Sequence, residues 1–425
     1  MNKNSRQEAE ALLSFIRKSP TAFQAAAQLK ERFLAEGFTE LKEKDRWKIE
    51  RGKSYVVTRN SSALIAFTIP EEGSLRFHIM AGHSDSPTFK IKENPEICVE
   101  AAYTKLNVEK YGGVLMSTWF DRPLSVAGRI LTEENGEICE HLISLDKDLL
   151  VIPNLAIHMN REVNDGYVYN VQKDLLPLYA SGEKKGSFLS MIAKEAGVNE
   201  EDILGHDLFL YNREQGSVWG PEGEFVSAPR LDDLECVYAS MEGYLKGKKE
   251  KNIAVYCVLD NEEVGSTTRQ GAASTFLKDT LMRLCMGRGE DKEAYMMALA
   301  QSFMLSMDNA HALHPNYPDK ADPVNRPVIN GGIVLKFNAN QKYCTDAVSG
   351  AAFKALCKKA DVPVQVFVNR SDLIGGSTLG NIANSHTAMV TADIGLAQLA
   401  MHSCYETAGV EDLSIMIKAS EEFFV

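Results

Sequence analysis

The chain has 425 residues, 44% hydrophobic and 24% charged, with a formal net charge of −12. That length is long for one hydrophobic core, so two domains are expected, and the acidic balance argues against a nucleic-acid partner, which needs a basic face. No apolar run reaches the length of a bilayer span. The eight scattered cysteines and the polar N-terminus fit reduced core thiols in a cytoplasmic protein.

Residues 6–17 set Leu12, Leu13 and Ile16 among charged neighbours and predict a helix. Ser19-Pro20 supplies a cap and a first-turn proline for a second helix ending near Gly37. Strand character follows at Tyr55-Val-Val, at 62–69 and, after a turn at Glu71-Glu-Gly, at 75–80. From about 95 to 226 short strand-like pieces are broken by Gly112-Gly113, the hairpin signal Asn135-Gly136 and Asn164-Asp165-Gly166. A helix is expected around 233–246, a buried strand at 253–259 and a helix around 269–284. Apolar stretches at 333–337 and 363–369 follow, then a closing helix over 405–420. Strand–helix alternation at both ends of a strand-rich middle predicts an α/β fold: a mixed-sheet catalytic domain (1–94 and 227–425) interrupted by a β-rich insertion (95–226).

Several short segments hold residues suited to metal-assisted hydrolysis. His83 lies past a strand in Gly82-His-Ser-Asp-Ser-Pro87, where Asp85 can accept a proton from the ring nitrogen turned away from a metal; a histidine in a surface loop is the plain alternative. Asp232, in Arg230-Leu-Asp-Asp233, has two oxygens and can bridge two cations. Asp232 and Asp233 equally suit helix-capping acids. Glu262 and Glu263 end the 253–259 run, where neighbouring side chains of an extended chain point opposite ways, so one can ligate while the other takes a proton from water. A solvated acidic turn is the bland reading. His311 and His314, three residues apart, suit ligands, substrate contacts or capping groups, while Asp308 in the same segment is the stronger ligand candidate; His402 opens a helix after an apolar run, a place that suits a structural histidine too. Together His83, Asp232, Glu263, Asp308 and His402 make a donor set for two divalent ions. Zinc fits its mix of nitrogen and oxygen, with cobalt and manganese as competitors. His83, Asp232 and Asp308 would hold one ion; Asp232, Glu263 and His402 the other.

At these residues the chain resembles the aspartyl aminopeptidases, the M18 metallopeptidases. The resemblance rests on Gly82-His-Ser-Asp-Ser-Pro87, Ser117-Thr-Trp-Phe-Asp-Arg122, Ile152-Pro-Asn-Leu-Ala-Ile-His158, Arg230-Leu-Asp232 and Glu262-Glu-Val-Gly-Ser266. Asp308-Asn-Ala-His-Ala-Leu-His-Pro-Asn-Tyr317, Gly375-Gly-Ser-Thr-Leu-Gly380 and Met401-His-Ser403 extend it. It implies Glu262 as general base, Glu263 as ligand and Asp232 rather than Asp233 as bridge. It also implies an inserted dimerisation domain, a tetrahedral dodecamer built from dimers, and His158 reaching a neighbouring subunit's site. The expected substrates are short peptides with a free N-terminus, aspartate or glutamate preferred, with Lys336 meeting the acidic side chain. A neutral apolar preference, a related deacylase or carboxypeptidase, and a non-catalytic scaffold are the alternatives. Lys336 equally suits an edge-strand lysine that blocks unwanted pairing. Pro123 stands where the family has aspartate, and Asn381 where proline is common.

Overall fold

The computed structural model describes residues 3–425; the first two residues of the expected catalytic half lie outside the described residues. The chain divides into two compact units, one of residues up to Asp85 with Gly216–Met401 and Glu406–Val425, the other of Ser86–Gln215 with His402–Tyr405. The limits anticipated at 94/95 and 226/227 fall inside strands, Thr88–Val99 and Phe225–Ala228.

A nine-stranded mixed sheet organises the first unit. Strand Ile253–Leu259 is buried at every position because both faces of the sheet are covered. Ala254, Tyr256 and Val258 enter one core with helices Lys3–Lys18, Ala22–Ala35, Leu231–Lys246 and Val410–Phe423. Ile253, Val255, Cys257 and Leu259 enter the opposite core with helix Phe276–Gly287. Three neighbours near the middle, Ile253–Leu259, Phe77–His83 and Phe303–Met307, run parallel in that order. Their carboxyl ends therefore lie side by side. A five-stranded sheet built from Ser217–Trp219, Phe225–Ala228, Glu406–Gly409, Ala397–Leu399 and Ala310–His311 completes this unit.

The second unit is a six-stranded sheet, antiparallel throughout, with its own apolar core. The Asn135-Gly136 hairpin forms as the dipeptide predicts, both residues at positive φ (55° and 84°) between strands Leu124–Glu134 and Glu137–Ser144. Positive φ at both central positions matches the right-handed twist of the flanking strands.

Four expectations change. The second helix begins at Ala22, not at Pro20, since the Ser19 N–H donates to the Ile16 carbonyl (3.0 Å) and closes the first helix. The helix expected from 269 starts at Phe276, after turns in which Gly271 N–H donates to Thr268 and Ala273 N–H to Ser266. Glu406–Gly409, expected as helix, is a strand paired on both sides, and the closing helix is Val410–Phe423. Lys336 is no edge lysine: its strand, Ile333–Phe337, lies between Val364–Val368 and Val390–Gly395.

Candidate metal centre

The three parallel strand ends deliver the chemistry. His83 is the last residue of Phe77–His83, Asp308 follows Phe303–Met307, and Glu262 and Glu263 follow Ile253–Leu259 after Asp260 and Asn261. Ligand sites at the carboxyl ends of parallel strands are a general property of such sheets. A Cβ at Gly82 would lie 2.7 Å from Asp233 Oδ2, so the residue before His83 must be glycine for helix and strand to approach this closely.

Asp232 arrives from another direction, at the start of Leu231–Lys246. It is not a capping acid: Asp232 and Asp233 have non-helical dihedrals, and regular helix begins beyond them. The Asp232 main-chain N–H donates to Glu406 Oε2 (3.1 Å), while Asp233 Oδ2 accepts the His83 main-chain N–H (3.1 Å). The two adjacent acids thus have separate tasks.

The His83 ring is oriented from both sides. Its Nδ1 lies 3.1 Å from the Asp85 carbonyl and 3.4 Å from the Asp85 carboxylate. Its Nε2 faces Asp232 Oδ1 at 3.4 Å and Asp308 Oδ1 at 4.0 Å. His83, Asp232 and Asp308 form one possible ligand triplet, and His83, Glu262 and Glu263 another, with donor atoms in each within 4.8 Å of one another. Both glutamates therefore reach the same histidine. The alternation expected of an extended chain is absent because Asn261 is left-handed (φ 60°) and Glu262–Val264 is a 3₁₀ turn.

Asp85 also shapes that turn. Its Oδ1 accepts the Glu262 N–H and its Oδ2 the Glu263 N–H, each at 3.1 Å. With both oxygens so engaged, it ties the glutamate turn to the His83 strand as well as meeting the imidazole.

Burial concentrates negative charge here. It pushes the Glu262 carboxyl up to about 8, with Asp308, Asp85 and Asp232 adding to the shift against His83. Burial likewise raises Glu263 and Asp308. For His83 burial favours the neutral ring, but the Asp232 and Asp85 carboxylates outweigh it and raise its pKa. Several carboxylates around one imidazole are costly to ionise together without a cation. The donor set of imidazole and carboxylate oxygens suits a divalent transition metal.

Lys336 is buried, with Nζ donating to the Asn309 carbonyl (2.8 Å) and 3.7 Å from Asp308 Oδ2. Burial opposes its charge, yet Asp308, with help from Tyr343 and Asp393, holds its pKa above the ordinary lysine value. His158 lies in an exposed turn of the second unit. His402 groups with that unit too, and its Nδ1 lies 3.0 Å from the Gly113 carbonyl.

Sequence reasoning gave Asp233 only a capping task and gave none to Glu235, Asn309 or Glu406. The Asn309 side chain donates to Glu235 Oε2 (2.9 Å), so a buried carboxylate braces the residue after Asp308. The available signal was the acids at 233 and 235 in a helix that offers solvent no face from Leu231 to Met241. A charge with no wet side to occupy must have a partner or a task.

The family model for aminopeptidase I zinc metalloprotease (M18) matches residues 15–424. A curated relative from Clostridium novyi (strain NT), described as "Probable M18 family aminopeptidase 2", is 48% identical over 433 residues, covering 99% of each chain. Among solved structures, the cryo-EM structure of the Ape4 and Nbr1 complex has a TM-score of 0.96 at 36% identity, covering 99% of this chain and 86% of that one. The S. cerevisiae mApe1 dodecamer has a TM-score of 0.86 at 28% identity, covering 98% and 96%. The mixed α/β fold with its β-rich second unit is thus the fold of these relatives. The chain belongs to the M18 family of metal-dependent aminopeptidases, the aminopeptidase I zinc metalloproteases.

Proposed function

We propose that this chain is a two-ion aminopeptidase that releases the first residue of short peptides bearing a free N-terminus, aspartate or glutamate preferred. The observation that carries the reading is His83 Nε2 turned toward Asp232 and Asp308 (3.4 and 4.0 Å) beside the half-buried Glu262 and Glu263. His83, Asp232 and Asp308 would hold one ion, and Asp232, Glu263 and His402 the other. The share of His402 rests on the family resemblance; with Nδ1 against the Gly113 carbonyl, Nε2 would be the nitrogen offered to an ion. Zinc suits these donors, with cobalt and manganese as alternatives. Ions bound there supply Lewis acidity, which acidifies a water and polarises a carbonyl.

The remaining work falls to the chain itself. Glu262 takes the proton of the attacking water. It returns that proton to the departing nitrogen, which leaves with the electron pair of the broken C–N bond. Asp85 fixes the position of Glu262 by holding its main-chain N–H.

Lys336 supplies a buried cation for an acidic first residue. Its contacts with Asp308 and the Asn309 carbonyl favour a second reading, in which it braces the ligand segment and the enzyme prefers neutral apolar residues.

His158 sits among Leu155, Ile157 and Met159, all exposed. Apolar residues clustered on a surface turn suit a covered position. This supports a homo-oligomer of dimers, up to a tetrahedral dodecamer, in which His158 enters a neighbour's site. We assign the protein to the cytoplasm; among the described residues no helix is long and apolar enough to cross a membrane.

A peptide panel varied at the first residue tests the activity, run with zinc, cobalt and manganese. Cleavage of amino-blocked peptides at the rate of free ones would replace the aminopeptidase by a deacylase or carboxypeptidase. Cleavage of none, with any ion, would leave a scaffold. Light scattering reads the assembly.

A further inference from the structure

A cavity of about 310 Å³ opens in the first unit between residues 311–327, 367–376 and 398–400. His311, in its wall, follows Asp308 by one short strand and packs against Phe367 with ring centroids 6.1 Å apart. The charge of the lining departs from that of the chain. Lys320, Arg326 and Arg370 line it against one carboxylate, Asp322, in a protein of net charge −12.

That carboxylate is already engaged: Asp322 Oδ1 accepts the Val324 and Asn325 main-chain N–H groups and the Asn325 amide, at 3.0, 2.7 and 2.9 Å. Arg370 is held in place through Asp372 Oδ1 (2.8 Å) and the Asp319 carbonyl. An arginine fixed in this way offers its remaining donors at little entropic cost, and planar guanidinium groups match carboxylates in a two-point geometry. The volume is at the small end for ligand sites, about that of one or two amino-acid residues.

We propose that this cavity is a second subsite, which binds a carboxylate of the peptide through Arg326 and Lys320 with Arg370 as the fixed base of the site. The proposal rests on the peptidase reading and adds to it a second point of recognition, separate from Lys336. Two sources share this chemistry: the C-terminal carboxylate of a di- or tripeptide, and an acidic side chain beyond the first residue. Either one would make short or acidic peptides better substrates than neutral, amidated ones.

The test compares three tripeptides that share the first residue the panel favours. One ends in a free acid with neutral side chains, one is its C-terminal amide, and one is an amide with glutamate at the third position. Wild type is expected to favour one or both carboxylate-bearing peptides over the neutral amide by about tenfold in kcat/KM, the scale of one charge-assisted hydrogen bond. Preference for the free acid alone assigns the C-terminus; preference for the glutamyl amide alone assigns the side chain. In Arg326→Gln and Lys320→Gln the ratio should fall toward one, and Arg326→Lys should restore part of it. Both positions are exposed, so folding is not at stake. An undiminished ratio in both Gln variants, or no discrimination by wild type, overturns the subsite.

The same peptides titrated calorimetrically into metal-free protein separate the two readings. Acid-selective binding without hydrolysis in any metal overturns the peptidase and keeps the cavity. Hydrolysis without selectivity overturns the cavity alone, and neither binding nor hydrolysis overturns both.

Discussion

The carboxylate of Asp85 holds the main-chain N–H of Glu262 at 3.1 Å, joining two positions 177 residues apart in the chain. Through this bond and its twin to Glu263 the turn after one strand is tied to the end of the next. Asp85→Ala removes both acceptors and the carboxylate beside His83. Divalent-metal affinity should fall about 10–100-fold, as for other residues that orient metal ligands, measured by calorimetric titration of metal-free protein. Asp85→Asn, which keeps one acceptor, should lie between. Unchanged affinity in the alanine variant would remove Asp85 from this role.

Glu262→Gln preserves shape and removes the proton acceptor. Turnover should drop by at least ~100-fold, the usual reach of general-base catalysis, while metal content by elemental analysis stays at the wild-type value. Turnover within a few-fold of wild type would assign the proton transfer elsewhere.

Lys336→Ala separates the two tasks of the buried ammonium. A recognition role predicts a loss on Asp-peptides about tenfold larger than on Leu-peptides, with metal affinity preserved. A bracing role predicts equal loss on both, with weaker metal binding. Substrate ratio and titration together decide, because only bracing acts through Asp308.

Metal removal should destabilise the fold. His83, Asp232, Asp308, Glu262 and Glu263 crowd acceptors that a cation brings together, and a ligand that binds only the native state at 100 times its Kd adds about 2.7 kcal/mol. Chelation should lower the melting temperature and excess zinc should restore it. An unchanged melting temperature would contradict a metal held at this cluster.

Glu235 gives a pH prediction. Burial pushes its carboxyl up from the ordinary 4.5 to about 8, against the opposing hydrogen bond from Asn309. The folded state therefore holds this proton more tightly than the unfolded chain. Its contribution to stability is fully present below about pH 4.5 and is lost as pH rises through 8. Denaturant titrations of wild type and Glu235→Gln across that window should diverge, wild type losing more stability toward pH 8. Parallel curves would show that Glu235 is ionised in the native state.

Much of this protein was legible in its sequence. The run 253–259 announced a strand covered on both faces because every position is apolar, and the Asn135-Gly136 dipeptide fixed its hairpin by local sterics. The family motifs singled out His83, Asp232, Glu262, Glu263 and Asp308 as candidates from short recognisable contexts, and the fold groups their side chains around His83. Where nearby residues set the outcome, the chain alone sufficed.

What required the tertiary structure was every outcome set by a distant partner. Glu406–Gly409 is a strand because Phe225–Ala228 and Ala397–Leu399 pair with it, overriding the helical pattern into which it runs. Asp232 and Asp233 resemble capping acids in sequence, yet one receives its main-chain support from Glu406 and the other supports His83. For Lys336 the sequence left an edge-strand role open beside substrate contact, and strands on both sides of Ile333–Phe337 remove the edge role while Asp308 lies 3.7 Å from its ammonium. Local pattern fixes backbone propensity and burial, whereas hydrogen bonds and charge pairs between residues far apart in the chain depend on which strand ends the fold brings together.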